Sequence, residues 1–189
     1  MGSNPISPTT LVFDTSPLQA LHRVGLLPSL RAVSDRTLVP RAVFDETQAS
    51  LLLTAPGRVP NLEEFNWIEV GVVPEADLIS AGAVLLKTRR STQTYRWFSR
   101  QIDRPEIEAI ILAKLTTAHV VIEDRRGINC AREFQVQVTN VAELLQEFER
   151  RQLIAAAGPY ATDILATGYY SKELRWLSWG HGFKKSLNQ

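Results

Sequence analysis

The stretch that decides the fold runs from Pro105 to Arg151, PEIEAIILAKLTTAHVVIEDRRGINCAREFQVQVTNVAELLQEFERR. Ile107, Ala109, Ile110, Ile111, Leu112, Ala113 and Leu115 make residues 105–117 apolar over most of a helix circumference, which predicts a central helix. Val120-Val121-Ile122 is a short apolar run closed by Glu123-Asp124, as expected of a buried strand with acids at its carboxyl end. Arg125 to Phe134 then reads as a helix, Gln135 to Val138 as a strand, and Val141 to Arg151 as a helix. Strands alternating with helices imply an α/β fold with a mainly parallel sheet covered on both faces.

The pattern extends in both directions. Leu11-Val12-Phe13 predicts a strand ending at Asp14. Ser16-Pro17-Leu18-Gln19 has the spacing of a helix start, with Ser16 as N-cap and Pro17 in first position, and Gly25 ends that helix. Leu27 to Val33 forms a short helix, Thr37 to Val39 a strand, and a third helix runs from Pro40 or Arg41 to about Leu53. Phe65 to Val70 reads as a strand; Leu78 to Leu86 and Thr92 to Ile102 are helical candidates. A helical pair is expected at about 159–167 and 171–179. This divides the chain into a tail (1–10), a main domain (11–154) with an extended middle segment (55–104), a C-terminal helical appendage (155–180) and a polar tail (181–189).

Composition excludes several classes. With 189 residues, 44% of them hydrophobic, the chain supports a core without disulfide or structural-metal staples. A single cysteine, Cys130, rules out an internal disulfide framework and a multi-cysteine zinc site. Twenty-one basic against twenty acidic residues leave +1, so bulk charge does not steer the protein to a polyanion. There is no signal-peptide pattern and no apolar run of about 18 residues, so the expected location is the cytoplasm, without membrane contact. G-x-S-x-G, P-loop and G-x-G-x-x-G motifs are missing from the sequence. A phosphatase of the two-aspartate kind needs an Asp two places after Asp14, where Ser16 stands.

In parallel sheets, sites lie outside the carboxyl ends of the strands, and that rule brings Asp14 and Asp124 to one rim. Asp14 is a spare carboxylate if Ser16 caps the helix. Asp124 suits capping and catalysis equally, and Glu123 is its adjacent alternative. Glu46 alone reads as a solvated helix face. Asp103 and Glu106 have capping-box spacing, and Glu108 competes on the same turn. His22, His119 and His181 are scattered. Between Lys87 and Arg104 lie Arg89, Arg90, Arg96 and Arg100, with Tyr95, Trp97 and Phe98 among them and Asp103 the one acid. That segment suits phosphate contact with base stacking, or equally a solvated basic face over buried aromatics. Arg125 and Arg126 form either an ion-pairing or a phosphate-contacting pair.

Taken in order, LVFDTSPLQALHRVGLLPSL (11–30), TLVPRAVFDET (37–47), RPEIEAIILAKLTTAHVVIEDRRGINCAREFQVQVTNVAELLQEFERRQLI (104–154) and TGYYSKEL (167–174) resemble the PIN domain family of ribonucleases, in its toxin-like branch. The resemblance implies a three-layer αβα sandwich and a Mg2+- or Mn2+-dependent endoribonuclease, the toxin of a toxin–antitoxin pair. It places the catalytic and metal-holding acids on Asp14, Glu46, Glu106 and Asp124, with Glu123 as the neighbour of the last. Thr15 or Ser16 would orient a water or a ligand, and the basic residues above would bind RNA. A homodimer and a small antitoxin are the implied partners. The family's usual Gly before the third acid is Pro105 here. The alternatives on the same scaffold are an RNA- or protein-binding module with an impaired acid set, and a nuclease of RNA or DNA processing with no antitoxin.

Overall fold

The computed structural model describes residues 10–54, 62–80 and 102–180. Five strands, β1 (Thr10–Phe13), β2 (Arg36–Pro40), β3 (Ile68–Gly71), β4 (His119–Val121) and β5 (Gln137–Thr139), form one sheet in the order β3-β2-β1-β4-β5. Every neighbouring pair is parallel, with Leu11 opposite both Thr37 and His119. The helices are α1 (Thr15–Arg23), α2 (Leu30–Val33), α3 (Arg41–Thr54), α4 (Arg104–Leu115), α5 (Arg125–Glu133), α6 (Val141–Arg150), α7 (Ala157–Ala166) and α8 (Lys172–Ser178). Residues 75–80 are also helical.

Alternation along β1 shows why both faces are covered. Leu11 and Phe13 enter one core with Leu18 and Leu21 of α1, Leu144 and Phe148 of α6, and Ala161, Ile164, Leu174 and Leu177 of the C-terminal helices. Val12 points the other way, into a second core with Val120, Ile122, the Ala109–Ala113 run of α4, and Cys130 and Ala131 of α5. The result is the expected three-layer αβα sandwich, and α7 and α8 share the first core. The central helix predicted from 105–117 is α4, with Ala109 to Ala113 buried. Pro105 sits in its first turn, where a missing N–H costs no helical hydrogen bond.

Several boundaries shift. The strand expected at Phe65 to Val70 begins at Ile68, because residues 62–64 form a 3-10 turn. That strand pairs with β2, so part of the middle segment is the sheet edge. The strand expected from Gln135 is Gln137–Thr139; Gln135 has φ 58, a turn conformation incompatible with a strand. Ser16 is not the cap of α1. The helix starts at Thr15, Asp14 holds the N-cap position with extended φ and ψ, and Ser16 lies exposed in the first turn. Leu78 begins in the helical residues 75–80, whereas 81–86 and most of Thr92 to Ile102 lie outside the described residues.

Candidate active site

Asp14 is fixed at the carboxyl end of β1. Its backbone N–H donates to Val121 O of β4 (3.1 Å), and its carbonyl accepts the first helical bond from Leu18 (3.3 Å). The carboxylate makes no capping hydrogen bond, and the residue is 5% exposed. Asp124 takes the equivalent place between β4 and α5, but its Oδ1 does cap: it accepts from Arg126 N (2.7 Å) and Gly127 N (3.4 Å). Both roles left open for Asp124 remain compatible, since Oδ2 takes no part in the cap.

Two helices bring acids to this rim. Glu106 stands in the first turn of α4, where Asp103 caps it by accepting from Glu106 N (3.1 Å). Its Oε1 lies against α5: a Cβ built on Gly127 would come within 3.6 Å of that oxygen and within 2.3 Å of Ile122 Cδ1. Glycine lets α5 start beside Glu106 without displacing the end of the Ile122 side chain. Glu46 arrives from α3, where its Oε2 accepts from Thr15 Oγ1 at 2.6 Å. Thr15 thus holds the Glu46 carboxylate, and Ser16 faces solvent. Glu108, read in sequence only as a rival of Glu106, is buried and accepts from Arg104 Nε (2.7 Å) and from Ala42 N at the start of α3 (3.4 Å). It thereby ties α3 to α4 and sets Glu46 relative to Glu106.

The electrostatics reveal a common space. Burial pushes Asp14 up to about 7, and the charges of Asp103 and Glu46 add to this; the N–H groups of Thr15 and Ser16 oppose it. Burial also pushes Glu106 up to about 8, followed by the charges of Asp14, Asp103 and Asp124. Asp14 thus feels Glu46, Glu106 feels Asp14 and Asp124, and Asp103 acts on both Asp14 and Glu106. The sequence had offered Asp103 only as a cap; its approach to Asp14 comes from the packing of α4 against β1. Among the described residues, no three His, Cys, Asp or Glu side chains stand close enough to hold an ion between them as they are placed. The donors are nonetheless all hard oxygens, which suits Mg2+ or Mn2+ bound partly through retained waters.

Glu123 diverges from its neighbour. Its Oε1 accepts from Val141 N at 2.8 Å, at the start of α6. Burial raises it to about 7, and the hydroxyl of Ser171 lies beside it. The Tyr169 hydroxyl lies beside the same carboxylate and, like that of Ser171, opposes the rise. Burial, then the charges of Glu123 and Asp14, drive the Tyr169 phenol well above its ordinary range. Tyr169 had no assigned role in the sequence, although it lies within the matching stretch TGYYSKEL. Arg125 and Arg126 are exposed beside Asp124 and make no ion pair among the described residues. Arg89, Arg90, Arg96 and Arg100 lie outside the described residues. Among the described residues, no helix is long and apolar enough to cross a membrane.

A five-stranded parallel sheet in this order, with acids following β1 and β4 and others on α3 and α4, defines an α/β sandwich. A family model, DUF3368, described as a PIN domain, matches residues 10–176. The chain belongs to this family of PIN domains, which are generally nucleases. No curated protein matches the chain.

Proposed function

We propose that this protein is a Mg2+- or Mn2+-dependent endoribonuclease and the toxin of a toxin–antitoxin pair, working in the cytoplasm as a homodimer restrained by a small antitoxin. The observation that carries the nuclease reading is the pair Asp14 and Glu106. Both are raised by burial and by neighbouring acids, to about 7 and about 8. Buried carboxylates that repel one another destabilise a fold, and a divalent cation relieves that repulsion. Asp14, Glu46, Glu106 and Asp124 are the residues that would hold the ion, with Asp103 beside them. When bound, it supplies Lewis-acid stabilisation of a phosphodiester and a water of lowered pKa.

The chain's own groups supply the rest. Thr15 holds Glu46 in orientation, and Glu108 holds α3 against α4. Arg125 and Arg126, at the positive end of α5, are suited to a phosphate on the approach to the acids. A basic segment at 87–104 would extend that track. A binding module with an impaired acid set is the second reading, favoured because no three acids among the described residues stand close enough to hold an ion as they are placed.

Cleavage of a panel of RNAs with Mn2+, wild type beside Asp14→Asn and Asp124→Asn, separates the two. The nuclease reading expects wild-type cleavage and a loss of about 100-fold or more in each variant. Equal rates in all three proteins would assign the cleavage to a contaminant. Growth arrest on induction, relieved by Asp14→Asn and by a short neighbouring reading frame, tests the toxin assignment.

A further inference from the structure

α8 buries one side and displays another. Leu174 and Leu177 enter the first core, and the helix packs against α6 and α7. Trp176 and Trp179 remain 44% and 66% exposed, with ring centroids 6.2 Å apart at an interplanar angle of 59°. Tyr170, just before the helix, is 73% exposed, and the Arg175 guanidinium carbon lies 4.8 Å from its ring centroid. Tryptophan is highly buried on average, so two exposed within one turn, beside an exposed tyrosine, mark a surface that meets a partner.

The charge around these rings narrows the partner. From Ser171 to Gln189 the sequence carries Lys172, Arg175, Lys184 and Lys185 against one acid, Glu173. The whole chain is close to neutral at +1, so this end holds a local excess of positive charge. A second copy of the chain would set those like charges against one another across a two-fold axis. Aromatic faces beside cations suit unpaired nucleobases joined by phosphates: the bases stack on the rings and the basic side chains follow the backbone. Arg175, drawn to the Tyr170 ring by cation–π attraction, keeps its charge beside the aromatic groups. The helix also starts near the acids. Its N-cap, Ser171, is buried with its hydroxyl beside Glu123, the neighbour of Asp124. At 1.5 Å per residue, Trp176 and Trp179 stand about 7 and about 12 Å along the axis from Ser171.

We propose that Tyr170, Trp176 and Trp179, with Lys172 and Arg175, form a stacking platform for the unpaired bases of single-stranded RNA, outside the acid rim. The platform deepens the nuclease reading, on which it rests for RNA as the ligand. It selects an unpaired strand and holds it while the acids act on the phosphodiester.

The test is binding of a labelled single-stranded RNA of about 12 nucleotides to the full chain in EDTA, by fluorescence anisotropy, beside a duplex of the same sequence. Trp176→Ala and Trp179→Ala are each expected to weaken single-stranded binding about 5- to 100-fold. Duplex binding should stay within twofold, and the slope of log Kd against log salt should hold, because stacking releases no counterions. Lys172→Ala/Arg175→Ala should instead flatten that slope. Trp179 is the more exposed of the two rings, so its substitution disturbs the core least. Trp179→Phe, which keeps a ring, should recover part of the affinity. Single-stranded binding within twofold of wild type in Trp176→Ala/Trp179→Ala would overturn the proposal. An equal loss for the duplex would do the same, by making charge or folding the cause. A dimer that dissociates in the double variant, read by sedimentation, would assign the face to a second copy and also overturn it. So would a wild type that binds no single-stranded RNA. Tryptophan-dependent binding by a wild type that cuts no RNA with Mn2+ defeats the nuclease reading and leaves the platform standing. Cleavage by the wild type beside unaffected binding in the variants defeats the platform alone.

Discussion

Two carboxylates in this protein are equally shielded from solvent and meet opposite surroundings. Asp14 is 5% exposed and Glu147 is 6% exposed. Glu147, on α6, accepts from Arg150 Nε (2.7 Å) and Nη2 (2.6 Å) and from Arg151 Nε (2.6 Å). Those hydrogen bonds, Arg150's foremost, hold it below the ordinary carboxylate range despite its burial. Arg151 also donates to Ala32 O, which ties α6 to the end of α2. Asp14 is buried among other acids instead. Depth and partners together separate the two: Asp14 lies deep among acids, and Glu147 lies nearer the surface among guanidinium groups. The Glu147 cluster is a clamp between helices, and the Asp14 cluster gathers acids whose repulsion the proposed cation would relieve.

The largest expected consequence is in the pH dependence of the metal-free protein. Asp14 and Glu106 have folded values near 7 and 8, above their ordinary 3.8 and 4.5. Between those limits the folded state binds more protons than the unfolded chain, so stability falls as pH rises from about 4.5 to about 8. Glu147 works in the other direction: its contribution is present above its ordinary value and is lost as pH falls through its lowered folded value. The metal-free melting temperature is accordingly expected to drop by roughly 5–10 °C between pH 5 and pH 8. The double variant Asp14→Asn/Glu106→Gln should reduce that slope, leaving the share of Glu123, which burial also raises to about 7. An unchanged slope would detach it from the acid rim.

Substitution sharpens the same contrast by sign. At pH 7.5 without metal, Glu147→Gln weakens charge-assisted bonds and should lower the melting temperature by about 2–6 °C. The arginines are partly exposed, which keeps the loss moderate. Asp14→Asn removes a repelling charge and should raise the melting temperature by a smaller amount, about 1–4 °C. A fall in both variants would erase the distinction between clamp and site.

Much of this was legible in the sequence, for identifiable reasons. The apolar runs at 11–13 and 120–122 stop at acids, and the βα alternation puts their ends on one rim, so Asp14 and Asp124 could be placed from local pattern. Glu46 and Glu106 could not. Each looks like an ordinary helical acid, and only the ordered resemblance to PIN domains singled them out. The direction of Glu123 was open in sequence, because neighbouring residues at a strand end point to opposite sides. Structure resolves it: Glu123 meets Val141 N and Asp124 meets the first turn of α5. Ser16 was misread because Ser-Pro-x-Gln imitates a cap, while Asp14 already supplied the extended residue from which α1 starts. Glu108, Asp103 and Tyr169 gain their meaning from contacts across 66 residues or more, or from tertiary approach alone, which no local pattern encodes.

The central claim is that the acid rim binds a divalent cation through Asp14. Calorimetric titration of Mn2+ into the full-length protein at pH 7.5, in two buffers of different ionisation enthalpy, tests it most directly. The expected result is one saturable site that releases about one proton on binding, because Glu106 and part of Asp14 are protonated before the ion arrives. Asp14→Asn should weaken or abolish that site. The contradicting result is an absence of saturable binding, or binding whose affinity and proton release are the same in Asp14→Asn.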